Sequence, residues 1–271
     1  TTVGTAEPEK VRVFSALNAP GPLGTVLSAL LLALLGTRSR SAWPVACVGI
    51  ATLGLSQARS GWVGCAAGIG ALVLLSRGAA HGRRALAMAV LPLVLLPLLG
   101  GAVGQTIRAR YDQTTEAGLS DDSFTARVRF HREMVPRALT DPIGKGVGST
   151  GVAAARAQPG ADAIGSFDGG IPESLFALGA FAGMIYLVAA ANLVRSALRG
   201  ARRRGPGVVV AAAATFALAI QVFLGNPMVG GPGVLLAVFA AAAIRPAPVT
   251  TSDVSNAVDR RARVDLRSTP Q

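Results

Sequence analysis

The chain is 271 residues long, 51% of them apolar and only 15% charged, with a mean hydropathy of +0.49 and a formal net charge of +12. A soluble chain of this length carries about 25% charged residues. The deficit excludes disordered, collagen-like and acidic-tail classes, and the gathering of apolar residues into blocks argues against a water-soluble fold. The excess charge fits a nucleic-acid footprint, a membrane-surface preference, or a charge bias across a bilayer.

Uncharged runs follow in order at about 20–36, 41–57, 61–76, 85–103, 171–194, 207–224 and 227–244. Most approach the roughly 20 residues that carry a helix across about 30 Å of hydrocarbon. Unpaired backbone amides are costly in lipid, so these segments must be helical. The reading is an all-α, polytopic integral membrane helical bundle of about seven transmembrane helices. Only Gln57-Ala58-Arg59-Ser60 separates the second run from the third. Pro92 and Pro97 predict a kink in the fourth. Gly225-Asn226-Pro227 predicts a tight turn between the last two. Cys47 and Cys65 fall inside apolar runs and read as two small buried thiols. With only His81 and His131 in the chain, a histidine-rich metal site is excluded. The chain starts Thr1-Thr2, without Met or a signal-peptide pattern, which reads as the C-terminal part of a longer protein.

Arginine sets the orientation. The connections after the first, third and fifth runs hold ten basic residues and no acid. With the C-terminal tail this side has fifteen basic against three acidic residues, a net +12. The opposite side balances eleven basic residues against eleven acidic ones. By the positive-inside rule the first side is cytosolic. Residues 1–245 then form one multi-pass cell-membrane domain with an extracytoplasmic loop at 104–170, and 246–271 a cytosolic tail read as disordered. Splitting the basic residues among membrane connections excludes nucleic-acid binding.

The outer loop is where chemistry is expected, because transporters and channels use shorter connections. Asp121-Asp122-Ser123 caps an amphipathic helix over about 123–140. At 100° per residue Phe124, Val128, His131, Val135, Ala138 and Leu139 share one face, with Arg129, Glu133 and Arg137 opposite and Arg127 on the flank. Pro136 predicts a kink. This helix either lies along the membrane surface over the mouth of the bundle or packs there for stability alone. The glycines of Asp141-Pro142-Ile143-Gly144-Lys145-Gly146-Val147-Gly148-Ser149 suit either a plain turn or a phosphate cradle. Arg59 sits at the outer water–lipid boundary, where it either snorkels to lipid phosphate or holds an anionic substrate group. Asp168 and Glu173 flank the start of the fifth run, as a general base or as counter-ions for Arg59 and Arg127. Gly64/Gly68 and Gly179/Gly183 are spaced for close helix packing.

Four stretches resemble the O-antigen ligase/O-antigen polymerase family of polytopic membrane glycosyltransferases. Arg12-Val13-Phe14-Ser15-Ala16-Leu17-Asn18-Ala19-Pro20 resembles its Arg-aromatic-Gly…Asn-Pro stretch leading into a span. Gln57-Ala58-Arg59-Ser60-Gly61-Trp62 resembles its Ser-Arg-Gly turn. Arg127-Val128-Arg129-Phe130-His131, then Pro142 and Gly146-Val147-Gly148, resembles its Arg-x-x-x-Trp…Pro…Gly-Val-Gly outer loop, with His131 in place of the Trp. Asp168-Gly169-Gly170 through Gly179 and Gly183 resembles its His-Asn…Gly-x-x-Gly segment. The likeness covers about residues 10–190.

The resemblance implies inverting, metal-independent transfer of a glycan from a polyprenyl-diphosphate donor to an acceptor hydroxyl on a glycan or glycolipid, at the outer face and without a cofactor. It assigns the donor diphosphate to Arg59 and Arg127. It places Asp168 where the family's ligases have a proposed histidine base. Lys145, Glu173 and His131 join the substrate-binding set as auxiliaries, with His131 ranked below Asp168 as base. Membrane lipids are the remaining partner. Two alternatives stand beside this: a transporter or flippase-like carrier of lipid-linked sugars, and an inactive relative.

Overall fold

The computed structural model describes residues 20–36, 42–56, 58–76, 86–87, 105, 122–150, 169–201, 205–227 and 230–244. Among them lie seven α-helices and no strand: α1 Pro20–Leu35, α2 Ala42–Leu55, α3 Arg59–Leu75, α4 Asp122–Thr140, α5 Gly170–Ala201, α6 Pro206–Ile220 and α7 Gly230–Ile244. Six coincide with uncharged runs, and α4 with the amphipathic segment. The fourth run, with Pro92 and Pro97, lies outside the described residues apart from 86–87, and the stretch 10–19 and the tail 246–271 lie outside them entirely. Prolines mark the helix starts. Pro20, Pro44, Pro172, Pro206 and Pro232 all stand in a first turn, where the missing N–H has no intrahelical partner to lose.

α6 is the centre of the bundle. Ala212, Ala213, Ala214, Ala217 and Leu218 are fully buried, so most of this helix's circumference is packed inside the bundle. α1, α3, α5 and α7 pack around it. Methyl side chains let backbones approach, and Gly64 and Gly68 of α3 carry the approach further. A Cβ added at Gly64 would lie 2.8 Å from the Ala217 carbonyl oxygen, and one at Gly68 2.8 Å from Ala217 Cβ. Close packing is thus the work of that glycine pair. Gln221, buried just past α6, ties the helices with polar bonds. Its Nε2 donates to Ser28 Oγ (3.1 Å) and to the Ala217 carbonyl (2.8 Å), and Thr25 Oγ1 donates to its Oε1 (2.8 Å).

The helix ends sort into two groups. At one end the start of α3 meets the start of α1, where a Cβ on Gly61 would lie 2.8 Å from Gly24 Cα. The start of α5 joins the segment after α6 there through Gly170 N–H to the Gly225 carbonyl (2.8 Å). At the other end Gly36, after α1, abuts Val210 near the start of α6, and Gly200 abuts Ala243 near the end of α7. The 58–60 corner, the 141–150 segment and the 225–227 turn, which the arginine bias assigns to one side, therefore share one end of the bundle.

Of the pair Gly179/Gly183, Gly183 serves close packing as expected and Gly179 does something else. Gly179 (φ 80, ψ 170) breaks α5 into residues 170–178 and 180–201. The two pieces fold so sharply that a Cβ on Gly183 would lie 3.0 Å from Leu175 Cα. Two helices, α5 and the stretch Pro206–Phe223, are long and apolar enough to cross a membrane, while α1, α2, α3 and α7 are apolar and shorter. Large apolar side chains point outward, among them Val48, Leu74, Phe181, Ile185 and Val234. Cys47 shares that outward surface and Cys65 is half-buried, so the expectation of two buried thiols fails for Cys47; both are free.

Candidate site at the broken end of the bundle

A helix broken at a glycine leaves carbonyls of its last turn without amide partners. The segment after α4 supplies them. Lys145 N–H donates to the Phe176 carbonyl (3.0 Å) and Gly146 N–H to that of Ala177 (2.9 Å). Ala180 N–H returns a bond to the Asp141 carbonyl (2.9 Å). Gly144 (φ 78) and Gly179 face each other across this junction. A Cβ on Gly144 would lie 2.7 Å from the Leu178 carbonyl carbon, and one on Gly179 2.6 Å from Gly144 N. Both the left-handed backbone and the lack of room require glycine here.

Asp141 shapes the segment from within. Its Oδ1 accepts from Gly144 N–H (3.0 Å) and Ile143 N–H (3.2 Å), and its Oδ2 lies 3.6 Å from Lys145 Nζ. The Gly144 amide foremost, then the Ile143 amide and the Lys145 charge, hold its carboxyl below the usual range against some desolvation. The amides of residues 143–146, and that of Ser149 to the Gly146 carbonyl, are all engaged inside the protein. Over residues 143–146 the glycine-rich stretch is therefore a turn that docks. A phosphate cradle needs those amides free.

α4 rests on the head of α5. Met134 and Ala138 are buried, and the Nε2 of His131 is buried as well. His131 occupies the space that Gly169 (φ 145) leaves: a Cβ there would lie 2.5 Å from His131 Nε2. Val128 and Leu139, on the apolar face, are exposed, and Met134 packs in their stead. The contact is narrower than the apolar stripe and centres on His131, Met134 and Ala138. Arg129, Glu133 and Arg137 are exposed as expected, with Arg129 Nε donating to Glu133 Oε1 (2.9 Å). α4 runs through Pro136 as one helix.

Glu173 ties three segments together. Thr150 Oγ1 donates to its Oε1 (3.2 Å) and Asn226 Nδ2 to its Oε2 (2.7 Å). Both carboxylate oxygens are engaged, which suits a group that holds the head of α5 better than one that takes a substrate proton. Lys145 similarly has Asp141 as its partner.

Arg59 is the first residue of α3, at a stiff corner. Trp62 Nε1 donates to the Leu53 carbonyl (3.0 Å) and Ala58 N–H to the buried Ser56 Oγ (3.3 Å). The Arg59 Nε is buried, so the side chain is lodged against the protein along part of its length. That favours a fixed arginine over one that snorkels freely. Gly64, just over a turn deeper, touches Gln221, and the neighbouring Val222 touches Gly170. Arg59, His131, Lys145 and Glu173 thereby belong to one end of the bundle. Arg127 lies on α4 one turn before His131, with its side chain outside the described residues, and Asp168 also lies outside them. Its neighbour Gly169 is the residue against which His131 packs. Sequence reasoning missed Thr150 and Asn226 as partners of Glu173 and Gly179 as a hinge. For Asn226 the signal was an amide side chain inside a two-helix turn.

From this end a groove of about 1220 Å³ runs between α3, α5 and α6, from Ile171 and Val222 down to Arg195 and Arg199. Comparison with protein-family models, with curated proteins and with solved structures finds no match to this chain.

Proposed function

We propose that the chain is a multi-pass membrane glycosyltransferase of the O-antigen ligase/polymerase type. It moves a glycan from a polyprenyl-diphosphate donor to an acceptor hydroxyl at the outer face. The observation that supports this best is the gathering of Arg59, His131, Lys145 and Glu173 at one end of an apolar bundle, with α4 laid over the head of α5. Outward-pointing Phe181, Ile185 and Val188 on α5 are what a helix facing hydrocarbon presents.

In this reading Arg59 and Arg127 hold the donor diphosphate. Their guanidinium groups offset the charge that grows on it as the bond from the anomeric carbon to phosphate oxygen breaks. The acceptor oxygen attacks that carbon from the opposite side, which inverts its configuration. The hydroxyl proton passes to Asp168, and the polyprenyl diphosphate departs. His131 sets the height of α4 over Gly169 and so the reach of Arg127. Glu173 and Lys145 hold the site's walls. A carrier of lipid-linked sugars would instead expose polar groups along a path. Ser28, Thr215 and Gln221 are buried and bonded within the helices, and Thr52 Oγ1 donates to the Val48 carbonyl (2.8 Å).

The test is transfer by the reconstituted chain from a polyprenyl-diphosphate glycan, scored as released lipid diphosphate. Arg59→Ala and Arg127→Ala should each lower turnover about 10²–10³-fold with insertion intact. Glu173→Gln should cost less than tenfold, because the amide keeps one of the two bonds. Full activity in both arginine variants overturns the reading. A Glu173→Gln loss as deep as theirs puts Glu173 among the catalytic residues.

A further inference from the structure

The groove between α3, α5 and α6 has two kinds of wall. Most of it is hydrocarbon: Gly70 and Leu74 of α3, Ala191 of α5 and Phe216 of α6 are among its lining. The charged lining residues are Arg195 and Arg199, at the end away from the candidate site. They stand one turn apart, so they share a face of α5. Both are exposed, and neither is bridged to a carboxylate among the described residues. Like charges at this spacing repel, and an anion placed between them removes the repulsion. Arg202, Arg203 and Arg204 follow directly in the sequence, on the side that the positive-inside rule makes cytosolic.

A free phosphate would satisfy the arginines and leave the apolar walls unexplained. A neutral chain would satisfy the walls and leave the arginines unexplained. We infer that the groove binds one anionic phospholipid of the cytosolic leaflet. Its phosphate lies between Arg195 and Arg199, and its acyl chains lie along α3 and α6. Basic recesses between membrane helices on the cytosolic side take anionic headgroups in this manner. The inference rests on the membrane reading of the helices proposed above and is independent of the transfer reaction.

Native mass spectrometry of the purified, delipidated chain, titrated with phosphatidylglycerol or with phosphatidylcholine of the same acyl chains, tests it. One phosphatidylglycerol should bind about 30-fold more tightly, the factor that two arginines near an anionic headgroup supply. The double variant Arg195→Gln/Arg199→Gln should lose that preference and keep its weak phosphatidylcholine binding. Glycerol phosphate, which has the charge without the chains, should not displace the lipid. Ala191→Trp should lower binding of both lipids, with circular dichroism reporting an intact fold. Equal binding of the two lipids, or a preference that survives the double variant, overturns the assignment. So does an efficient disulfide between Ala191→Cys and Val94→Cys in a Cys47→Ser/Cys65→Ser background, since the apolar run 85–103 would then fill the groove. A chain that transfers glycan without lipid preference sinks this assignment alone, and the reverse result sinks the transfer reaction alone.

Discussion

The α6-centred bundle and the broken end of α5 are held together by different means. Around α6 the contacts are many and individually small, made by alanine, glycine and leucine on every side, with Gln221 as a single fully bonded polar tie. At the broken end a handful of backbone hydrogen bonds join residues 141–146 to residues 176–180, around three glycines with positive φ. A bundle of the first kind yields gradually, because losing one contact leaves the others. A junction of the second kind fails at one position. Segments that must move or admit a substrate are drawn from such weakly buttressed regions.

Gly179→Ala tests that difference most severely. Its backbone, at φ 80 and ψ 170, lies where residues other than glycine are rarely found, and the new methyl would lie 2.6 Å from Gly144 N. Strain of this kind costs up to about 3 kcal/mol, which the junction's few bonds are poorly placed to absorb. The Lys145 and Gly146 amides should lose their protection from hydrogen exchange. Transfer should fall about 10²-fold as α4 shifts, while the thermal midpoint of the bundle stays put. A midpoint that drops along with the protection makes the two regions one cooperative unit and ends the contrast.

Gly64→Ala is the matching change inside the bundle. The added methyl meets the Ala217 carbonyl oxygen at 2.8 Å and, closer still, the buried and bonded side chain of Gln221. Overpacking of this sort costs about 2 kcal/mol. The thermal midpoint in lipid nanodiscs should fall, with exchange at residues 145 and 146 unaltered below the transition. Gly70→Ala is the control on the same helix: nothing lies within 4 Å of the new methyl. Removing a helical glycine there should raise stability by about 0.5–1 kcal/mol. Equal gains at positions 64 and 70 would mean that propensity and not packing governs α3.

Those two glycines also mark what a linear sequence conveys. The helices were legible because apolar runs of near-membrane length, bounded by proline, glycine and arginine, have few other ways to fold. Arg59, Lys145 and Glu173, which the charge count assigns to one side, lie at one end of the bundle. The Gly64/Gly68 spacing was legible because it describes one helix face. The same spacing at Gly179/Gly183 holds for Gly183 but misleads at Gly179, because a packing glycine and a hinge glycine differ only in φ, which depends on the partner at Gly144. Met134 in place of Val128 and Leu139 on the packed face of α4 was hidden for a related reason. An amphipathic stripe wider than its contact does not reveal which edge is used. The two oxygens of Glu173 looked available until Thr150 and Asn226, 23 and 53 residues away, were placed beside them.

The mildest probe of the junction is pH. In the folded chain the Gly144 amide, helped by Ile143 and Lys145, keeps the Asp141 carboxyl ionised to lower pH than in the unfolded chain. Its contribution is therefore present above the ordinary carboxylate range and fades as pH falls through the lowered folded value. The Asp141 side chain keeps about a third of its surface in water, so the effect is local and small, and it belongs to the 141–146 segment rather than to the bundle. The amide proton resonance of Gly144 should move toward its free position on acidification, with a midpoint below 3.8. Asp141→Asn keeps an oxygen for the turn and should remove the titration, whereas Asp141→Ala should show the displaced resonance at every pH. A midpoint at or above 3.8 would mean that the carboxylate gains nothing from the turn. The three backbone bonds that join residues 141, 145 and 146 to residues 180, 176 and 177 would then hold the junction on their own.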